Sequence, residues 1–150
     1  MKRLRVYVDT SVIGGCLDEE FAEESRALLA MAREGRAVLL VSDVLLFELE
    51  PAPVDVQGAL AQLPQDCLDV VLRTEEAERL RDAYLEAGVL GPESRNDALH
   101  VAIATVAGAD VMVSWNFRHI VHLEKTRGFN AVNLREGYKP LEIRSPREVV

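Results

Sequence analysis

Apolar and polar positions alternate along the chain in short blocks of two kinds. Leu4 to Val8 is a β-rich apolar run that ends on the polar trio Asp9-Thr10-Ser11, which predicts a buried strand. Comparable runs at Ala37–Val41, Leu68–Leu72 and Val111–Ser114 predict three more strands, and Ala131–Leu134 a fifth. Between these runs the apolar residues recur at helical spacing. Glu19–Glu34 carries Phe21, Leu28, Leu29 and Met31 among charges and stops at Gly35. Ser42 is placed to cap a helix over Asp43–Glu50 that Pro51 and Pro53 end, and a short helix is expected around Val56–Leu63. Thr74 caps Glu75–Ala87, Ser94 opens a helix to Ala107, and Asn116 begins a polar turn into a helix over Phe117–Arg127. Strands alternating with helices predict a parallel sheet covered on both faces, with ligands gathering at the carboxyl ends of its strands.

The 150 residues suit one domain, with no linker, repeat or low-complexity segment to divide them. Hydrophobic residues make up 49% and charged ones 28%, an ordinary globular balance. Cys16 and Cys67 lack CxxC or zinc-like spacing and read as buried structural thiols. The apolar run after MKRLR is too short for a signal peptide, and His100 and Thr105 interrupt the stretch Ala98–Ala109. A cytoplasmic protein with no membrane segment is expected. The net charge of −8 denies the chain a general electrostatic grip on nucleic acid. Any such contact must come from a local basic patch, for which Arg118, Lys125 and Arg127 are the candidates.

The carboxylates carry the candidate chemistry. Asp9 ends the first strand, Asn116 follows the fourth, and Glu48 and Asp97 lie on helices that start near strand ends. Hard oxygen ligands suit magnesium or manganese, and acids packed together make physical sense chiefly around a cation. Each acid also has a plainer role. Asp9 can cap the helix that follows, and Ser94-x-x-Asp97 has the spacing of a capping box. Glu48 sits among Val44, Leu45, Leu46, Phe47 and Leu49, where an unpaired carboxylate is costly, but spacing alone does not choose between it and Glu50. His119 and His122, a turn apart, are more often surface or packed residues than metal ligands. His100 is placed to orient Asp97 or to fill the core. Trp115 and Phe117 can stack a base or pack inside.

Taken in order, VYVDTSVIGG, VSDVLLFELE and NDALHVAIATVAGADVMVSWNFRHI resemble the PIN-domain family, in particular the VapC-type toxin ribonucleases of bacterial toxin–antitoxin pairs. The likeness runs from about Leu4 to Asn133, and FNAVNLREGYKPLEIRSPREVV looks like the ending of a bacterial PIN subgroup. The resemblance implies one three-layer α/β/α sandwich over residues 1–150, with 135–150 as a C-terminal extension. It implies an endoribonuclease using Mg2+ or Mn2+ to activate a water against an RNA phosphodiester, an antitoxin protein as partner, and a homodimer. By its motifs Asp9, Glu48 and Asp97 are the metal-binding and catalytic acids, with Glu48 preferred over Glu50. Asn116, counted with them as a catalytic residue, falls where many members carry a further Asp, and Thr10, Ser114 and Arg118 are expected to meet substrate. The neutral Asn116 weakens the case for a second ion and keeps an alternative open: a catalytically weak PIN module that binds RNA or a partner protein. A phosphotransfer domain built on Asp9 is disfavoured, because the second acid it needs two residues on is Ser11.

Overall fold

The computed structural model describes residues 2–150. Its centre is a five-stranded sheet in the order β3-β2-β1-β4-β5, made of β1 (Leu4–Val8), β2 (Ala37–Ser42), β3 (Leu68–Val71), β4 (Val111–Val113) and β5 (Glu142–Arg144). Every neighbouring pair is parallel, with Val6 opposite Leu39 on one side and Val111 on the other. Because side chains alternate across a strand, the central strand feeds two cores. Val6 and Val8 join Leu39, Val41, Val111 and Val113 on one face, while Tyr7 joins Leu40, Met112 and Ile143 on the other.

Helices cover both faces, giving the three-layer α/β/α sandwich. Over the first face lie α1 (Thr10–Gly15), α2 (Ala22–Arg33), α3 (Asp43–Leu49), α4 (Val54–Ala61) and, packed on α2, the short terminal α8 (Pro146–Val149). The second is covered by α5 (Glu75–Glu86), α6 (Arg95–Val106) and α7 (Leu123–Arg135). Ala98 to Thr105 are all buried, so α6 is enclosed and only its two ends reach solvent. Both cysteines are free and buried. Among the described residues no helix is long and apolar enough to cross a membrane.

The region after β4 departs from the pattern reading. Residues Ala131–Leu134 are the end of α7 and not a strand, since Phe129, Val132 and Asn133 bury one helical face. The helix expected over Phe117–Arg127 is instead a turn followed by α7, which starts only at Leu123. The fifth strand is Glu142–Arg144, held to α7 by Asn130. That side chain accepts Leu141 N–H at 2.7 Å and donates to Leu141 O at 3.0 Å.

The chain runs β1 to β3 outward on one side and then returns to lay β4 and β5 on the other. The order therefore reverses between β1 and β4, and the crevice beyond their carboxyl ends is where such sheets bind ligands.

Candidate active site

Asp9 sits at that crevice, one residue past β1, and is 5% exposed. It does cap α1: Oδ1 accepts Ser11 N–H at 3.1 Å and the Ser11 hydroxyl at 2.5 Å. It does more besides. Its other oxygen accepts the hydroxyl of Ser114, past the end of β4, at 2.6 Å. Ser11 Oγ in turn accepts Trp115 N–H and Ser114 Oγ accepts Asn116 N–H, each at 2.9 Å, so the two strand ends are stitched together around one carboxylate. Burial pushes the Asp9 pKa up, with the Ser11 and Ser114 hydrogen bonds pulling the other way. No Lys or Arg forms an ion pair with it among the described residues.

Glu48 reaches the same crevice from α3. Its Oε1 accepts Thr10 Oγ1 at 2.9 Å and faces His100 Nε2 at 2.7 Å, while Oε2 accepts Asn96 Nδ2 at 2.8 Å. Burial opposes ionisation, but the His100 hydrogen bond and charge, with Thr10 and Asn96, outweigh it and lower the Glu48 pKa. Glu50 caps the C-terminus of α3 and is exposed, away from these partners. His100 therefore orients Glu48 and not Asp97, and it is also the buried, satisfied core histidine that the other reading expected.

Asp97 stands in the first turn of α6. The capping box is absent, because Ser94 makes no side-chain cap bond. The Asp97 carboxylate instead lies 3.2 Å from His119 Nδ1. Asn116 Oδ1 accepts His119 N–H at 2.9 Å and thereby shapes the turn that presents that imidazole. His122 is exposed and lies just before α7.

The expected substrate contacts divide. Thr10 and Ser114 give their hydroxyl protons to Glu48 and Asp9, so they hold the acids in place. Arg118 is exposed on the turn after β4. Of the other expected basic residues, Arg127 is exposed and Lys125 is tethered by an ammonium hydrogen bond to Val89 O at 3.0 Å. Trp115 is buried, stacked on Phe21 with ring centroids 4.3 Å apart and bonded to Ser25, which removes it from base stacking; Phe117 is half exposed. Sequence spacing did not reveal Arg73. With Asp43, Val44, Phe47, Glu48 and Asn96 it lines a cleft of about 580 Å³ beside the Glu48 carboxylate.

Whether these groups suit a divalent ion can be judged from their donors. Among the described residues no three of His, Cys, Asp and Glu stand together as a ready-made metal cage. A carboxylate offers about four lone-pair sites, and Asp9 and Glu48 each receive three hydrogen bonds, leaving capacity on each acid. All-oxygen ligands with few direct contacts are what magnesium and manganese accept, because they keep several waters. The donors left free on Asp9 and Glu48 are hard oxygens, the type these ions accept, without forming a cage.

Solved structures share the fold that carries these residues. The chain aligns over 95% of its length with 98% of a chain in the DNA-bound VapBC2 complex of Rickettsia felis, at 14% identity and a TM-score of 0.58. DNA-bound VapBC from Salmonella typhimurium gives 18% identity and 0.57 over the same shares. The fold is VapC-like. VapC20 of Mycobacterium tuberculosis, a Sarcin-Ricin loop cleaving toxin, aligns with 91% of this chain and 98% of its own at 19% identity and 0.52. By sequence the chain matches no family profile and no curated protein. At these identities what is shared with VapC is the PIN fold, and function must be argued from the residues above.

Proposed function

We propose that this VapC-like chain is a cytoplasmic, divalent-metal-dependent endoribonuclease and the toxin of a toxin–antitoxin pair. The observation that carries the reading is Asp9: a desolvated carboxylate, fixed at both oxygens at the strand-order switch point, with no Lys or Arg paired to it among the described residues. Such a group favours a cation that the protein itself does not supply. Glu48 and Asp97, each held by a histidine, are the other acids we assign to that ion. Bound there, Mg2+ or Mn2+ would supply positive charge against the acids and polarise a phosphodiester. Ser11, Ser114 and Thr10 keep the acids in fixed orientation, so little reorganisation is needed when charge develops. Arg73 and Arg118 are the cations we assign to RNA phosphates, a modest pair that suits the acidic chain. The three VapC-like neighbours support the reading at the level of fold, and two of them are VapBC complexes.

Labelled single-stranded RNA incubated with MnCl2 or MgCl2 should be cleaved slowly, and a chelator should stop it. Asp9→Asn should lower the rate at least about 100-fold, and Asp97→Asn should weaken Mn2+ binding in calorimetry. Cleavage that persists in chelator, or in Asp9→Asn, would overturn the assignment. Sequencing the flanking DNA tests the antitoxin: a neighbouring small reading frame is expected whose coexpressed product forms a stoichiometric complex and suppresses cleavage, and its absence would count against the toxin assignment. A homodimer, the remaining proposal about assembly, is checked by light scattering on the isolated chain.

A second reading, a PIN module of low activity that binds RNA or a protein, draws on Asn116. Its carbonyl oxygen is engaged by His119 N–H, and a neutral side chain there adds no charge for a second ion. Retention of RNA without metal-stimulated cleavage would select it.

A further inference from the structure

A buried polar chain connects the two ends of α3, and nothing in the reading above requires it. Ser42 Oγ caps the helix by accepting Leu45 N–H at 3.0 Å, and it lies 3.1 Å from Tyr7 OH. Tyr7 OH is 2.6 Å from His100 Nδ1, and His100 Nε2 is 2.7 Å from Glu48 Oε1 on the last turn of the same helix. Tyr7 and Ser42 are fully buried, and His100 nearly so. The three residues come from β1, β2 and α6, so one histidine–tyrosine pair ties the start and end of α3 to the middle of the domain.

Tyr7 donates to Ser42 Oγ, which leaves the Tyr7 oxygen to accept from His100 Nδ1, while His100 Nε2 meets the Glu48 carboxylate. Gln57 Nε2 meets the carbonyls of Leu49, Glu50 and Ala52 at 2.9–3.0 Å and restrains the far end of the helix. Buried polar networks contribute little net stability beside apolar packing of the same volume, and groups one step behind a ligand fix its orientation.

We propose that Tyr7 and His100 are positioning residues that lock the Glu48 carboxylate in the orientation the reaction uses. This rests on the nuclease reading. Tyr7→Phe removes one hydroxyl with little change of shape, His100→Gln can return an N–H near the position of Nε2, and His100→Asn can do so only near Nδ1. Expected results are a fall in kcat of about 10–100-fold for Tyr7→Phe and His100→Asn with KM little changed, a comparable loss of Mn2+ affinity by calorimetry, and substantial recovery in His100→Gln. Wild-type kcat and Mn2+ affinity in all three variants, or equal damage in His100→Gln and His100→Asn, would overturn the proposal. If the wild type cleaves no RNA, the nuclease reading fails by itself. Crystal structures of wild type and Tyr7→Phe then decide: a displaced Glu48 carboxylate supports positioning, and an unmoved one refutes it.

Discussion

Asp9 bears a cost that the rest of the fold must cover. Its pKa is raised by burial, so between the ordinary carboxylate range and that raised value the folded chain binds more protons than the unfolded one. Stability then falls as pH climbs through this window. An asparagine at position 9 does not titrate. Its oxygen can keep the Ser11 bonds, and its amide can donate to Ser114 once that hydroxyl turns. Asp9→Asn should therefore fold normally, and its Tm should rise relative to wild type as pH increases above the usual carboxylate range; thermal melts across that range check this. A variant that melts lower at neutral pH would show that the carboxylate stabilises the apo fold. Asp9 and Glu48 stood out in the sequence because an acid at a strand end or on an apolar helix is costly. An Asp in a first helical turn such as Asp97 is ordinary, and only the family resemblance chose Glu48 over Glu50. The partners of these acids did not stand out. The bonds from Tyr7 to His100 and from Thr10 to Glu48 span 93 and 38 positions, and no local spacing encodes contacts at that range.

Among the elements, α1 is the one whose shape the site depends on, and its last residue shows why. A Cβ added at Gly15 would lie 2.6 Å from Ser25 Oγ and 2.9 Å from Trp115 Nε1, displacing the bond that holds the indole against α2. Gly15→Ala should destabilise the domain by about 1–3 kcal/mol, as overpacking does. Trp115 is the single tryptophan, so its fluorescence would report the displacement directly. An unchanged spectrum and Tm would mean that α2 can move aside at no cost. Most elements were readable from periodicity and caps; Ser42 and Thr74 cap α3 and α5 as expected. The failures cluster after β4. There Asn116 caps a turn in place of a helix, and a three-residue edge strand, Glu142–Arg144, buries only Ile143. One buried position in three gives no alternation to detect, whereas Val132 and Leu134 in α7 mimic it.

At the scale of the whole molecule, the second core makes a prediction independent of catalysis, because all three tyrosines belong to or border it. Burial raises the pKa of Tyr7 and of Tyr84, whose hydroxyl donates to Asn133 Oδ1. Partial burial together with the 2.6 Å bond to Glu76 pushes Tyr138 up to about 12. A phenol whose folded pKa exceeds its unfolded value, about 10, keeps its proton longer in the native state. Its contribution to stability is complete below the unfolded value and is lost as pH rises from there through the folded one. The net charge of −8 adds self-repulsion in the same direction. An alkaline titration that follows phenolate absorbance and circular dichroism together should thus show no tyrosine ionising at the ordinary pH while the fold is intact. Tyr138 should lead, and the other two should ionise only with loss of structure. Because the Tyr7 side chain is buried between β1 and α6, its ionisation must coincide with separation of the two and hence with collapse of the site around Glu48. Two or more phenols ionising near pH 10 with an unchanged circular dichroism spectrum would mean that this core admits water and cannot hold His100 as described.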